Sequence, residues 1–335
     1  MELSFPWLYL HKERTLLFYP MSQKILTYIE KLCACPERRG SVVPFIQKYI
    51  TDELERASIP YQLHTFLSET PKAKAELVVD AISIPCLGTS FVSGTIDSKY
   101  AILSSTIPSR FNLENPNINF NPYADAISCS NFYFAPAVAV ARADIAKVIA
   151  GESVVGTVMV EKIQTEVAHI LVGNAVNPKN IVFAHYDSIS VGAIDNASGV
   201  AVCLVTIIEN PGLLVDTLFV FDPAEELSFD MPTYWGYGFR EFEKKFFMQM
   251  QQAEKIIPID CVGNGPVTTD TNPKILFLAF PIRQFEELKG KMVTLYSDIA
   301  ALQKVYHSAA DVPALLEEIY LQEAREKLIA LLVSK

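Results

Sequence analysis

Residues 217–230, TLFVFDPAEELSFD, join a short apolar run to a cluster of acidic residues. The run TLFVF is typical of a buried strand, and the adjacent glutamates Glu225 and Glu226 follow it closely. Two carboxylates this close repel each other, so both stay ionised only where cations or hydrogen-bond donors hold them. The pair recurs at Glu286–Glu287 and Glu317–Glu318, inside amphipathic helical patterns that predict solvated faces. The role of the first pair therefore depends on what the rest of the chain brings to the same place.

Strand-like and helix-like segments alternate on both sides of this stretch. Apolar strands are predicted at residues 167–174, 180–187, 255–260, 274–280 and 291–297, and helices at 197–210, 236–252, 281–290 and from about Val312. Strands that are apolar throughout and alternate with helices predict an α/β fold with a mostly parallel, mixed central sheet flanked by helices. Ligands of such sheets bind at the carboxyl ends of the strands.

The sequence changes character twice before the first of these strands. Helical periodicity covers residues 22–57, with a Pro/Gly break at 36–40, and short strands with clustered Pro and Asn follow. One segment of that region, residues 143–152, has a helical pattern. We therefore predict an N-terminal arm that packs on this domain or on a second subunit, a discontinuous α/β domain and a small β-rich insert: residues 1–21, residues 22–72 with 163–335, and residues 73–162.

The composition excludes several classes of partner. The chain has 335 residues, of which 50% are hydrophobic and 20% charged, and a net charge of -10 argues against nucleic acid. Its longest apolar stretch, GVAVCLVTII, is about half the roughly 20 residues that a spanning helix needs. The first twenty residues lack the pattern of a signal peptide, and the six cysteines lack metal-binding spacing. We expect a cytoplasmic protein without a membrane partner and with free thiols.

Histidines and carboxylates follow the predicted strands. His185 and Asp187 end one strand, Asp195 lies in the turn after it, Asp260 ends another, and His307 precedes the last helix. Singly, each has an ordinary explanation: Asp195 with Asn196 could cap a helix, as could Asp311 before the terminal helix. Together with the glutamate pair, they form a cluster of carboxylates that requires cations. Imidazole with carboxylate suits zinc best among the common metals.

The chemistry of such a cluster divides the roles of its members. Two divalent metals about 3.5–4 Å apart need a bridging carboxylate, terminal ligands and a water that they acidify. One glutamate of the pair can bind metal while its neighbour takes a proton from that water. Asp187, two residues after His185, is suited to orient the imidazole through its other nitrogen.

Five short motifs carry a resemblance to a known family. They are HYD at 185, DNASG at 195, AEE at 224, DCVG at 260 and YH at 306, in this order. The sequence resembles the di-zinc aminopeptidases of clan MH, which include aminopeptidase Y and bacterial leucyl aminopeptidases. The resemblance covers residues 22–72 and 163–335. It implies a phosphorylase/hydrolase-like zinc peptidase fold, peptide substrates and two Zn²⁺ per chain, with Co²⁺ or Mn²⁺ as substitutes.

The resemblance also assigns roles to the candidate residues. It implies that His185 and Asp260 bind one zinc, that Glu226 and His307 bind the other, and that Asp195 bridges them. Glu225 would be the general base, and Tyr306 would donate a hydrogen bond to the tetrahedral intermediate.

Part of the insert, residues 134–161, resembles the protease-associated domain that many relatives carry. The chain departs from the family in two segments that would line the substrate pocket. Relatives usually continue with a Gly-Ser turn after the glutamates, whereas this chain has LSFDMPTYWGYGF, and the segment between Asp298 and His307 is shorter than usual.

The resemblance predicts an aminopeptidase, which removes N-terminal residues from peptides. Three other functions of proteins with this fold stay open at this stage. A carboxypeptidase of the glutamate-carboxypeptidase type would need cations for the substrate carboxylate, for which Arg240 and Arg283 are candidates. A glutaminyl cyclase would use a single zinc. A binding protein of the transferrin-receptor kind would show lost ligands, and none of the motif residues is lost here. The sequence leaves the oligomeric state open, including a homo-oligomer.

Overall fold

The computed structural model describes residues 24–97, 101–106 and 114–334. The predicted arm, residues 1–21, lies outside the described residues. The strands, in chain order, are β1 (Tyr61–Val79), β2 (Ile82–Ile84), β3 (Cys86–Gly88), β4 (Gly94–Ile96), β5 (Ile102–Ser104), β6 (Asn117–Phe120), β7 (Ala137–Val140), β8 (Val154–Gly173), β9 (Asn180–His185), β10 (Thr217–Asp222), β11 (Lys255–Pro258), β12 (Thr268–Asp270) and β13 (Thr294–Tyr296). The helices are α1 (residues 24–33), α2 (Val43–Arg56), α3 (Ile145–Ala150), α4 (Ser198–Glu209), α5 (Tyr237–Gln252), α6 (Pro273–Ala279), α7 (Phe285–Leu288), α8 (Ile299–Gln303) and α9 (Glu318–Val333).

A mixed seven-stranded sheet forms the centre of the fold. Its strand order is β11-β9-β10-β8-β1-β2, and β4 also pairs with β8. Among the paired strands of this sheet, β9, β10 and β11 pair in parallel, and they are joined by the crossover helices α4 and α5. The long strands β8 and β1 are antiparallel to each other, and β8 is antiparallel to β10. The predicted mixed α/β sheet flanked by helices is confirmed, with the parallel strands gathered on one side.

Helices cover both faces of this sheet. Val182 and Ala184 of β9 face one apolar core, which is completed by α1, α2, α4 and α9. Ile181 and Phe183 face the other core, which is completed by α5, α6 and α7. Because successive strand residues point to opposite faces, both faces of β9 are buried. In the described residues, no helix combines the length and the hydropathy that crossing a bilayer would require.

Two predictions of local structure differ from the structure. Residues 274–280, KILFLAF, form most of α6 and no strand. Asn272 caps this helix by accepting a hydrogen bond from the backbone N–H of Lys274, and Pro273 occupies its first turn. The terminal helix begins at Glu318, after a single 3₁₀ turn at Pro313–Leu315, and not near Val312.

The region predicted as an insert has a sheet and a core of its own. Strands β3-β7-β6-β5 form a four-stranded sheet. An apolar core that includes Leu77, Val138, Val148 and Val158 joins this sheet to the far halves of β1 and β8. The helix predicted in this region is α3. Since β1 and β8 run without interruption from the central sheet into this region, the domain boundaries stay a prediction.

Candidate metal centre

The five predicted ligands meet at one edge of the central sheet. His185 ends β9, Glu226 follows β10 and Asp260 follows β11, and these strands run parallel. Asp195 lies in the loop before α4, and His307 lies in the turn after α8. Parallel strands present their carboxyl ends at the same edge, which is why residues so distant in sequence come together.

The ligand atoms form two groups that share one carboxylate. In the first group, His185 Nε2 lies 3.2 Å from Asp195 Oδ1 and 3.4 Å from Asp260 Oδ1. In the second, His307 Nε2 lies 2.9 Å from Glu226 Oε2 and 3.3 Å from Asp195 Oδ2. Each group has the ligand types and the spacing to hold one metal ion. Asp195 offers a different oxygen to each, which is the arrangement of a bridging carboxylate.

The electrostatics of the cluster favour positive charge. Burial alone would lower the pKa of His307, but the carboxylates of Glu226 and Asp195 raise it to about 10. Burial likewise opposes the charge on His185, yet its hydrogen bonds to carboxylates raise its pKa well above the usual value. The pKa of Asp195 is lowered although burial would raise it, because both imidazoles donate hydrogen bonds to it. The buried carboxylates therefore require cations, and metal ions can supply that charge where the imidazoles are neutral.

The hydrogen bonds of His307 fit a metal ligand. Its Nδ1 lies 3.0 Å from the carbonyl oxygen of Cys129, which can only accept, so Nδ1 carries the proton. In the neutral imidazole, Nε2 then has a lone pair that faces the carboxylate oxygens of Glu226 and Asp195, and within the described residues this buried atom accepts no hydrogen bond. An unsatisfied buried nitrogen costs free energy, which a bound metal would remove. The donor set of two imidazoles and three carboxylates thus suits zinc.

Asp187 joins the first imidazole to the glutamate pair. One of its oxygens lies 3.3 Å from His185 Nδ1. The same carboxylate accepts hydrogen bonds from the backbone N–H groups of Glu225 and Glu226, at 3.1 and 2.9 Å. Asp187 therefore fixes the turn that presents both glutamates, which the sequence did not indicate, and its role in orienting His185 stays a prediction.

Glu225 is buried beside the two groups and belongs to neither. Burial raises the pKa of its carboxyl well above the usual value; the charge of His185 opposes the rise, and the charges of Glu226 and Asp187 add to it. The exposed glutamate pairs at Glu286–Glu287 and Glu317–Glu318 contrast with this one and are solvated, as predicted. Burial raises the pKa of the Glu226 carboxyl as well, so Glu225 differs from its neighbour in its contacts, since only Glu226 lies beside an imidazole nitrogen.

A cavity that is open to solvent lies over the cluster. Tyr306 lines it and stacks on the ring of His307, with ring centroids 3.6 Å apart. The two departures from the family pattern supply part of the wall, through Tyr234 and Trp235 in one segment and Ile299 and Leu302 in the other. The remaining lining residues beyond the cluster are Cys261, Ile275, Leu278, Ala279, Thr294 and Tyr296. The wall is thus mostly apolar, and the carboxylates lie on the side of the metal centre.

Arg38, which the sequence did not single out, holds the loop of the bridging ligand. Arg38 is fully buried and donates to the carbonyl oxygens of Tyr186, Val191 and Gly192 at 2.6–3.0 Å. Arg38 thereby fixes the loop between His185 and Asp195 from the side of the carbonyl groups.

Asp311 fixes the same loop from the side of its N–H groups. It accepts hydrogen bonds from the backbone N–H of Ile194 at 2.8 Å and of Asp195 at 3.2 Å. The expectation that Asp311 caps the terminal helix is therefore wrong, since its carboxylate is turned to a loop more than a hundred residues earlier. Asn196, directly before the N-cap residue Ala197, does accept a hydrogen bond from the first turn of α4, from the N–H of Gly199 to its Oδ1 at 3.1 Å.

Arg240 is not available to a substrate carboxylate. Its side chain is 1% exposed, forms an ion pair with Asp230 at 2.7 Å and donates to backbone carbonyl groups. Arg283 is exposed and lies 3.4 Å from the same carboxylate of Asp230. Neither arginine lines the cavity over the cluster.

Comparisons with known proteins agree with this architecture. Residues 166–311 match peptidase family M28. The structure is similar to BSAP, a zinc aminopeptidase from Bacillus subtilis, with a TM-score of 0.66 and 15% identity over 92% of this chain and 93% of that one. An aminopeptidase from Aneurinibacillus sp. strain AM-1 gives a TM-score of 0.59 and 16% identity over 91% of each chain.

The same fold also occurs in a glutaminyl cyclase from Fimbriiglobus ruber, with a TM-score of 0.52 and 10% identity over 94% of this chain and 95% of that one. Comparison with curated protein sequences gives no match. The structural likenesses establish the fold and confirm the one predicted.

Proposed function

We propose, from the peptidase family M28 domain that residues 166–311 carry, that this chain is a zinc-dependent aminopeptidase which releases N-terminal residues from peptides. The family match confirms the resemblance indicated by the five sequence motifs and identifies the chain as a peptidase. The single observation that supports a two-zinc aminopeptidase is the pair of ligand groups that share Asp195. Glu225 lies beside these groups and belongs to neither.

Each residue of the cluster has a role in this proposal. His185, Asp260 and one oxygen of Asp195 would hold the first zinc, and Glu226, His307 and the other oxygen of Asp195 would hold the second. Bound zinc would supply Lewis-acid polarisation of the scissile carbonyl and would lower the pKa of the attacking water. The positive charge it brings also favours the ionised form of Glu225, whose pKa is raised by burial in the metal-free cluster.

The chain's own residues then move the proton and hold the charge. Glu225, as an ionised carboxylate, takes a proton from the attacking water and gives it to the leaving amine. Asp187 keeps Glu225 in place by accepting a hydrogen bond from the backbone N–H of Glu225 at 3.1 Å. Tyr306, on the wall of the cavity, is the candidate donor to the oxygen that becomes negative in the transition state.

The charge and shape of the site favour a free N-terminus with an apolar side chain. The carboxylate-rich side of the cavity attracts an α-ammonium group. The apolar part of the wall, formed by residues such as Trp235, Leu278 and Leu302, offers apolar surface to the first side chain of the substrate. Arg240 is buried in an ion pair with Asp230. It is therefore not free to bind the substrate carboxylate of a carboxypeptidase, for which it was one of two candidates.

A panel of aminoacyl chromogenic substrates, free and N-acetylated, tests the proposal with and without a chelator. We expect rapid release from free leucyl and phenylalanyl substrates, much slower release from their N-acetylated forms, and loss of activity with the chelator. Equal rates on free and blocked substrates, or faster removal of C-terminal residues, would refute the aminopeptidase assignment.

A glutaminyl cyclase is the second candidate, because proteins of that activity share the fold. A peptide with N-terminal glutamine distinguishes the two, since a cyclase releases ammonia and leaves the peptide bond intact. We expect hydrolysis of that bond, and ammonia release without hydrolysis would favour the cyclase.

A further inference from the structure

Residues 121–131, which form most of the connection between β6 and β7 and are called loop 121–131 below, reach from the predicted insert to the metal centre. The backbone of this loop and the segment after α8 exchange two hydrogen bonds at one point: Cys129 N–H donates to the carbonyl oxygen of His307, and His307 Nδ1–H donates to the carbonyl oxygen of Cys129, both at 3.0 Å. Ser128 and Ser308 form an isolated antiparallel bridge at the same place. The loop therefore contacts a proposed metal ligand directly.

Side chains of the loop hold the same segment on either side of His307. Ser128 Oγ donates to the carbonyl oxygen of Tyr306 at 2.6 Å. Asn121 Nδ2 donates to the carbonyl oxygen of Gln303 at 2.7 Å, and it also lies 3.2 Å from Ser128 Oγ. Ser128 and Asn121 are almost completely buried, so these bonds form where water cannot replace them.

The predicted insert also contacts a second residue of the cavity wall, Tyr234. Tyr234 packs against Phe91 and Phe132 of the insert, with ring centroids 5.5 and 6.3 Å apart. The hydroxyl of Tyr234 accepts a hydrogen bond from the backbone N–H of Phe132 at 3.3 Å. The insert thus touches the cavity at Tyr306 and at Tyr234, which both line it.

We propose that loop 121–131 of the insert is a support of the metal centre, in which Ser128 and Asn121 are positioning residues for His307. The contact from Cys129 fixes the proton of His307 on Nδ1 and leaves Nε2 as the lone pair that faces Glu226 and Asp195. Ser128 and Asn121 hold the backbone of residues 303–306, which directly precedes His307. Without them the imidazole can tilt away from the second ligand group, so that group should bind zinc less tightly.

The experiment compares zinc release from three variants, and it rests on the proposed zinc site. Ser128→Ala and Asn121→Ala remove the bonds to residues 303–306. Ser90→Ala is the matched control, because Ser90 is a buried serine of the insert whose hydroxyl lies 2.6 and 2.7 Å from the carbonyl oxygens of Val92 and Ala135, neither of which belongs to the segment after α8. Zinc-loaded proteins are mixed with a chromogenic chelator, and the release of each equivalent is followed in time. Thermal melting of the zinc-free proteins monitors folding.

We expect one equivalent of zinc to leave Ser128→Ala and Asn121→Ala roughly 10–100-fold faster than wild type, the scale for losing a partner behind a metal ligand. The other equivalent should leave at the wild-type rate, and Ser90→Ala should resemble wild type for both. If Ser128→Ala folds poorly, the comparison of Asn121→Ala with Ser90→Ala decides the result.

Zinc release at the wild-type rate from all three variants would overturn the proposal. It would also be overturned if Ser90→Ala released zinc as fast as Ser128→Ala and Asn121→Ala. A wild-type protein that takes up no zinc would instead refute the proposed function, and this support role with it. A second readout is the NMR spectrum of the imidazole ring nitrogens in the zinc-loaded protein. This spectrum has few signals because the chain has only five histidines. We expect His307 to be protonated on Nδ1 in wild type, and protonation on Nε2 would contradict the proposal.

Discussion

Replacing Glu225 by glutamine tests the division of roles within the glutamate pair. Glutamine has the same size and can occupy the same turn, since the backbone N–H of residue 225 stays bonded to Asp187. It cannot take a proton from water. Glu225 lies outside both ligand groups, so the variant should keep the zinc content of wild type. Its kcat should fall by roughly 10²–10⁴-fold, or about 3–5 kcal/mol in the barrier, with little change in KM.

The same substitution has a predicted effect on stability. Burial and the neighbouring carboxylates raise the pKa of Glu225, which means that its charge is unfavourable in the metal-free protein. A neutral amide removes that repulsion, so the zinc-free variant should melt at the same temperature as wild type or higher. A loss of activity that came from unfolding would lower the melting temperature instead.

The matched variant is Glu226→Gln, which changes the neighbouring and chemically identical side chain. Glu226 Oε2 lies 2.9 Å from His307 Nε2 in the second ligand group. This variant should therefore lose one equivalent of zinc, and activity with it. Zinc content and kcat are measured on both proteins. Loss of zinc from Glu225→Gln with full retention in Glu226→Gln would reverse the roles, and no effect of either substitution would refute the site.

Three further predictions concern the surroundings of the cluster. Asp311→Asn keeps one acceptor but turns an NH₂ group towards the N–H of Asp195, so it should lower the unfolding free energy by about 2 kcal/mol in a denaturant titration and weaken zinc binding. Tyr306→Phe should lower kcat by on the order of 10²-fold in steady-state assays, and an unchanged kcat would leave the ring a packing role. Ala279→Phe narrows the apolar wall and should lower kcat/KM for leucyl relative to alanyl substrates by about tenfold or more.

The site was more accessible to sequence reasoning than the connections that support it. His185, Glu226 and Asp260 follow apolar runs, and the alternation of strands and helices places the ends of such runs at one edge. Asp311 shows the limit of this reasoning. A carboxylate shortly before a helix has the same sequence pattern as a cap, and its actual partners, Ile194 and Asp195, are defined only by the tertiary fold.

The wrong prediction of a strand at residues 274–280 has a different origin, because the sequence just before this segment indicates a helix. KILFLAF is an apolar run whose length suits either a strand or a buried helix, and periodicity does not separate them. Asn272 and Pro273 directly before it are a capping residue and a first-turn proline, which together indicate a helix start. Arg38 and the loop 121–131 carried no comparable signal, since their contacts join residues that are more than a hundred positions apart.

Zinc titration of the metal-free wild-type protein tests the central claim most directly. Bound zinc and the release of leucine from a leucyl peptide are measured on the same samples. With two ligand groups sharing Asp195, binding should saturate at two zinc ions per chain, and hydrolysis should appear as the sites fill. Saturation at one zinc per chain, with no release of leucine, would contradict the account.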